Sequence, residues 1–396
     1  MHLSAHRREF LRTAPALGCY LLSLAGCSKE TAAPRPSEPG ANSWELRIGA
    51  LENSIVKLMG QHNVPGLSMA IVRDAKLVWN RGFGFRDRAS NAPVDSSTMF
   101  EAASMSKPVF AYAVMKLCER GVLDLDTPLT EYTSERFLEG DARLDLITAR
   151  HVLSHTSGFQ NVRSAANPLK IDSTPGQKWQ YSGEGYAYLQ SVVARLVGHV
   201  DTTQCGTYEA DLKVCATDMD AYMRTNLLAP FGMSLSGYLW KEELAQRMAR
   251  PHDEQGTPLE IRKYAPADAA RYGAMGGLLT TATDYAKFLI EVIAPKPADA
   301  FRLSQISIEE MLKPQVKVEE TNEYSISWAL GWRIAHTAQG DLVSHGGDQT
   351  GFHSTSEVSV ARKSGYVILT NGDNGWKLIQ ELAPDVSRWV HTHADG

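Results

Sequence analysis

The chain has little cysteine: five residues in 396, too few for a disulfide-built scaffold. It has no excess of basic residues either. Forty Lys and Arg stand against 45 Asp and Glu, a net charge of −5. That excludes the basic face a nucleic-acid binder presents. No CxxC pair, HExxH, EF-hand loop or Walker A loop is present. No metal, nucleotide or flavin site is therefore expected, and no cofactor. No apolar run reaches the about 20 residues that a spanning helix needs. What is present is a foldable composition, 43% hydrophobic and 21% charged, which excludes a wholly disordered chain.

The first residues read as an address. Arg7-Arg8-Glu9-Phe10-Leu11-Arg12 precedes an apolar stretch over 14–26 that Pro15 interrupts. A basic head followed by a short apolar run marks a signal peptide, and the paired arginines resemble a twin-arginine export signal. Leu24-Ala25-Gly26-Cys27 resembles a bacterial lipobox, in which small residues admit the peptidase and the Cys27 thiol takes the lipid. Residues 27–45 are rich in Pro, Ser, Ala, Gly and Glu and read as a flexible tether. Ser28, rather than aspartate, follows Cys27. The expectation is a signal peptide over 1–26 and a protein lipid-anchored to the outer membrane, facing the bacterial periplasm. Such a compartment permits disulfides. Cys205 and Cys215 bracket a short loop where a bridge is expected. Cys118, on an apolar helix face, is expected to stay a buried free thiol.

The remainder, 46–396, reads as one domain. Ile48, Leu51, Ile55 and Leu58 have helical spacing over 46–59. Residues 67–73 and 76–79 read as a hairpin about Asp74-Ala75, followed by the glycine-broken Gly82-Phe83-Gly84. Residues 108–120 are helical and stop at Gly121. The middle, 124–288, gives short helices and long connections. Strands return at 328–334 and 341–345, then a hairpin over 356–370 and a last helix over 376–390. Strands at both ends with helices between predict an α+β fold. Its antiparallel sheet is made by both chain ends and flanked by helices, and a mainly helical lobe is inserted.

Three short motifs carry the chemistry. Ser104-Met105-Ser106-Lys107 opens the helix over 108–120, and a three-residue spacing puts Ser104 and Lys107 on one face. A serine hydroxyl needs a nearby base to become a nucleophile, and a buried lysine amine can serve. Partial positive charge at the helix start favours a developing oxyanion. Tyr181-Ser182-Gly183 offers a phenol that, beside a lysine ammonium, can act as general base and then acid. His345-Gly346-Gly347 lies at the end of the 341–345 strand. Its glycines let a backbone approach a ligand closely, the following N–H groups can bind an oxyanion, and His345 can bind a carboxylate or assist proton transfer. His155-Thr156-Ser157-Gly158 reads as a structural turn near the site. No serine has glycine at both −2 and +2, so no nucleophile elbow of the α/β-hydrolase form is present.

In that order, S-x-x-K, Y-x-x and H-G-G, the chain resembles the serine hydrolases that share a fold with penicillin-binding proteins and AmpC-type β-lactamases. Val64-Pro65-Gly66, His155-Thr156-Ser157-Gly158, Pro230-Phe231-Gly232-Met233, Ala274-Met275-Gly276-Gly277-Leu278 and Leu330-Gly331-Trp332 extend the resemblance over 46–390. It implies Ser104 as nucleophile, Lys107 as its activator, Tyr181 as proton shuttle and His345 in the third-motif basic position. It also implies an oxyanion hole from the backbone N–H groups of Ser104 and Asp348, with Gly183, Gly346, Gly347 and Asp348 lining the substrate. AmpC-type enzymes carry Y-x-N and K-T-G, where this chain has Gly183 and His345-Gly346-Gly347. Both changes remove groups that hold a β-lactam's amide and carboxylate, a loss worth several kcal/mol (roughly) at buried polar sites. The expected substrate is a small ester or amide. A D,D-carboxypeptidase or D-aminopeptidase, a weak β-lactamase and a non-catalytic peptidoglycan-binding protein are the alternatives.

Overall fold

The computed structural model describes residues 44–197, 208–209, 214–263, 266–296, 300–321 and 324–392. The signal, lipobox and tether residues up to 43, Cys27 among them, lie outside the described residues. So does Cys205, while Cys215 is placed by its backbone alone.

The chain begins with α1 (Trp44–His62), followed by the strands β1 (Gly66–Arg73), β2 (Lys76–Asp87), β3 (Ala92–Pro93) and β4 (Phe100–Glu101). The inserted lobe runs through α2 (Ser106–Glu119), α3 (Ala149–Leu153), α4 (Gly183–Val197), the short pair β5 (Tyr208–Glu209) and β6 (Val214–Cys215), α5 (Ala216–Met223) and α6 (Pro266–Gly276). Then come β7 (Leu279–Thr280), α7 (Ala282–Ile293) and α8 (Gln305–Leu312). The chain returns to the sheet through β8 (Val316–Glu320), β9 (Ser325–Trp328), β10 (Arg333–His336), β11 (Leu342–Gln349), β12 (Phe352–Ser359) and β13 (Ser364–Thr370), and closes with α9 (Gly375–His391).

Nine strands form one antiparallel sheet in the order β3-β2-β1-β13-β12-β11-β10-β9-β8, so β1 and β13 from the two chain ends pair at its centre. β1 is buried on both faces, and its side chains alternate between two cores as the pleat requires. Leu67, Met69 and Ile71 meet Ile55 and Met59 of α1 and Leu378, Leu382 and Val386 of α9. Ala70 and Val72 face the other way, with Phe288, Leu289 and Val292 of α7 and Val109 and Phe110 of α2. Burying each of the larger side chains contributes about 1.5–3 kcal/mol, which makes the sheet a firm base for what stands at its edge.

Three expectations shift in detail. α1 starts at Trp44, inside the stretch expected as tether, because Trp44 packs on Trp389 of α9 with ring centroids 5.0 Å apart. The strand expected over 328–334 is two strands. Ala329-Leu330-Gly331-Trp332 turns between them, with Gly331 at φ +86° and the Ala329 N–H donating to the Trp332 carbonyl at 2.8 Å. β11 does not end at His345-Gly346-Gly347 but runs through both glycines to Gln349, paired with β12. Cys118 is a free thiol, half-buried against the core. Burial, with the Asp124 charge second, pushes it up to about 12, so it is a poor nucleophile.

Candidate active site

Ser104 sits in a single 3₁₀ turn, Ala103–Met105, that leads into α2. Ala103 takes φ +47°, a left-handed conformation costing about 1–2 kcal/mol for a residue with a Cβ. The surroundings hold it there. The Ala102 N–H donates to the Leu278 carbonyl at 2.9 Å, and the Ala102 carbonyl accepts from Ser354 Oγ at 3.0 Å. Ser106 Oγ donates to the Ala103 carbonyl at 2.7 Å and accepts from the Leu278 N–H at 2.9 Å. The serine turn is thus stitched to β12 and to the segment entering β7.

Lys107 lies in the first turn of α2 and is 1% exposed. Its Nζ donates to Ser104 Oγ at 3.0 Å and to the Met275 carbonyl at 2.6 Å. The same Nζ stands 4.9 Å from the Tyr181 ring centre and 5.4 Å from that of Tyr186. An amine within hydrogen-bond reach of a hydroxyl, at a helix start, has the geometry of an activated nucleophile.

Tyr181 ends the loop before α4, where the Ser182 hydroxyl accepts from the Gly185 N–H at 2.9 Å. Its ring lies against that of His155 at 4.2 Å, with Trp328 at 5.9 Å and His345 at 6.3 Å. His155 is fully buried at φ +58°. Its Nδ1 accepts the Ser182 N–H at 3.0 Å, so the ring proton belongs on Nε2. Burial, then the Lys107 charge, holds this histidine well below its ordinary range and therefore neutral. It is the turn the sequence suggests, and it also backs Tyr181.

His345 is the mirror case. Its Nδ1 lies 2.7 Å from the Gly346 carbonyl. A carbonyl only accepts, so the proton sits on Nδ1 and Nε2 offers a lone pair. Burial, reinforced by Lys107, pushes the ring down to about 3. A neutral acceptor therefore stands where a basic group was expected, and a substrate carboxylate finds no cation at this residue. Stability follows. An unfolded histidine takes a proton near 6.5, whereas the folded one waits until about 3. Between these values the unfolded chain binds more protons, so stability is full above pH 6.5 and falls on acidification, by about 1.4 kcal/mol per pH unit for such a site. His345→Asn is expected to show a shallower fall in melting temperature between pH 6.5 and 4 than the parent protein. Parallel slopes would count against a neutral buried His345.

β10 pairs with β11 only over Leu342 to Ser344, so the outer edge of β11 beyond that point is left to the substrate side. A side chain at Gly347 would collide with the Ala102 carbonyl and Ser354 Oγ; only glycine lets β11 lie against the serine turn. The next positions face elsewhere. A side chain at Gly346 would meet Trp376 of α9, 3.2 Å away, and the Asp348 carboxylate lies 3.4 Å from His353 Nδ1.

Ser104, Lys107, Tyr181 and His345, far apart in sequence, are brought to one place. Trp328 and Tyr186 complete the surroundings and were not singled out in the sequence, where the density of aromatics over 179–186 was a signal; Met275, whose carbonyl holds Lys107 Nζ, stood in the motif over 274–278. Among the described residues, no group of three or more His, Cys, Asp or Glu side chains is placed to hold a metal ion.

A profile of the beta-lactamase family matches residues 51–383. The chain belongs to the beta-lactamase family. Esterase EstB of Burkholderia gladioli is 28% identical over 254 residues, covering 56% of this chain and 58% of the esterase. Penicillin-binding protein 4 of Amycolatopsis lactamdurans is 26% identical over 357 residues, covering 83% of this chain and 84% of its own length. The D-alanine carboxypeptidase AmpC of Burkholderia cenocepacia shares the fold at a TM-score of 0.65 and 19% identity, over 85% of this chain and 99% of that one. The sheet joining both chain ends, the flanking helices and the helical lobe are those of this fold, and the family is one of serine hydrolases.

Proposed function

We infer that the protein is a serine acyl hydrolase of small, neutral esters or amides. The observation that carries this reading is the pair Lys107 Nζ and Ser104 Oγ at 3.0 Å, with a neutral His345 beside it rather than a cation. Tyr181 takes the Ser104 proton as Oγ attacks the substrate carbonyl, and the Lys107 ammonium, which donates to Oγ, favours that oxygen as its proton leaves. The backbone N–H groups of Ser104 and Asp348 receive the developing oxyanion. Tyr181 passes the proton to the leaving group, and water then attacks the acyl-enzyme with the same residues in reverse. D-alanyl peptides and β-lactams present a carboxylate on the leaving side. With no charge at 345 to pair it, they are the poorer substrates.

The test is mass spectrometry of the purified protein after a fluorophosphonate, with kcat/KM for short-chain p-nitrophenyl esters, a D-alanyl-D-alanine peptide and a cephalosporin. One adduct mapped to Ser104 and a preference for the neutral esters are expected. An unlabelled Ser104, or a preference for the carboxylate-bearing peptide, would overturn the reading.

The location is part of the same proposal: a periplasmic lipoprotein held through Cys27. Among the described residues no helix is long and apolar enough to cross a membrane, so an anchor would have to come from elsewhere in the chain. Cys27→Ser is expected to move the protein from the membrane pellet to the soluble fraction of a bacterial host. Unchanged sedimentation would sink the lipid anchor.

A further inference from the structure

Sulfur is the element of the chain most open to oxidation, and its placement is uneven. Of the 12 methionines, Met1 lies outside the described residues, and every other except Met275 is buried, at 8% exposure or less. Met275 is half-buried, in the last turn of α6, and packs on the core from its rim. An oxidant dissolved in water meets this thioether before the others. Cys118, the other half-buried sulfur, is held by burial as an unreactive thiol.

Met275 also stands beside the attacking group. Its carbonyl accepts from Lys107 Nζ at 2.6 Å, and the same amine donates to Ser104 Oγ at 3.0 Å. Its methyl group fills the space next to Gly183, two residues after Tyr181, where a Cβ would run into it. The next residue, Gly276, lies against the serine turn: a Cβ there would be 3.7 Å from the Ala103 carbonyl carbon. From this we propose that Met275 is a modification site, at which a peroxide oxidises the thioether to a sulfoxide and switches the hydrolase off. The switch rests on the hydrolase reading above.

The step needs only the peroxide. The thioether sulfur attacks one oxygen of hydrogen peroxide and the O–O bond breaks. The displaced hydroxide takes the proton left on the transferred oxygen and departs as water. Sulfur is oxidised by two electrons, the peroxide is reduced by the same two, and a sulfoxide remains. A sulfoxide is polar and chiral, and its oxygen needs a donor that an apolar rim does not offer. The side chain leaves its place beside Gly183. The main chain on either side is tied. The Ala274 N–H donates to Gln190 Oε1 at 2.6 Å, and Leu278 is bonded to Ala102 and Ser106 at the serine turn. The rearrangement therefore falls on 275–277, the stretch whose carbonyl holds Nζ.

The test exposes the purified protein to hydrogen peroxide in steps. Each sample is read for oxygen added at every methionine and at Cys118 by peptide mass mapping, for fluorophosphonate labelling of Ser104, for turnover of a p-nitrophenyl ester, and for melting temperature. Met275 is expected to take oxygen before the other methionines. Labelling and turnover are expected to fall in proportion to the Met275 left unoxidised, by roughly 10²-fold at completion, the scale on which a displacement of about 1 Å acts at a catalytic group. The melting transition is expected to persist, and methionine sulfoxide reductases A and B, one for each epimer, to restore the rate. Met275→Leu keeps an apolar side chain without sulfur, and is expected to hold its own untreated rate through the same exposure. Should that variant be inactive, the proportionality in the parent protein still decides. Oxygen at Met275 with activity intact, or activity lost while Met275 remains a thioether, would overturn the proposal. If the untreated protein neither labels at Ser104 nor turns over the ester, it is the hydrolase reading that fails, and the switch with it, whereas early oxygen at Met275 would still stand.

Discussion

Ser104→Ala is expected to fold as the parent protein does and to lose turnover by roughly 10⁴–10⁶-fold, the scale on which removing a catalytic nucleophile acts. Oγ is the atom that bonds the acyl carbon, and nothing beside it replaces that bond. The fold does not depend on it. The turn is held through Ala102 and Ser106, whose bonds to Leu278, Ser354 and Ala103 remain. Lys107 keeps the Met275 carbonyl at 2.6 Å and its place over the two tyrosine rings. Melting curves and kcat on the same preparation check both halves. Turnover at more than a few hundredths of the parent rate would sink the acyl-enzyme mechanism.

Tyr181→Phe is expected to slow acylation and deacylation together, each by roughly 10²–10⁴-fold, as for a lost acid–base group. The substitution keeps the ring, and with it the 4.2 Å packing on His155 and the 4.9 Å approach of Lys107 Nζ. Only the hydroxyl leaves. Rapid-mixing measurement of the acylation burst and of its decay separates the two steps. Near-parent rates in either step would remove Tyr181 from that step.

What was readable in the sequence was what depends on local spacing. Ser104 and Lys107 share a helix face because they are three apart, and α1, α2 and α9 follow the apolar period of about 3.6 residues. The sheet built from both chain ends followed from where the strand-like segments lie. Pattern failed where a local cue had two meanings. Gly346-Gly347 looks like the end of a strand, yet β11 continues because the serine turn needs a side-chain-free strand beside it. Trp328-Ala329-Leu330-Gly331-Trp332 looks like a buried strand, yet it turns at Gly331. The join between Asn161 and the start of α4 was invisible for another reason: the Asn161 carbonyl accepts from the Gly183 N–H, 22 residues on, and no window of sequence joins the two.

The contact between Gly347 and the Ala102 carbonyl has a consequence for how such a protein can diverge. Two main chains in touch act as a gauge: they set the gap between the attacking serine and the strand opposite with no side chain involved. Residues that line the cleft can then be exchanged in succession without resetting that gap. A lineage can trade one acyl group for another by altering positions such as 183 and 345, while the spacing on which bond-making relies passes unchanged from parent to descendant.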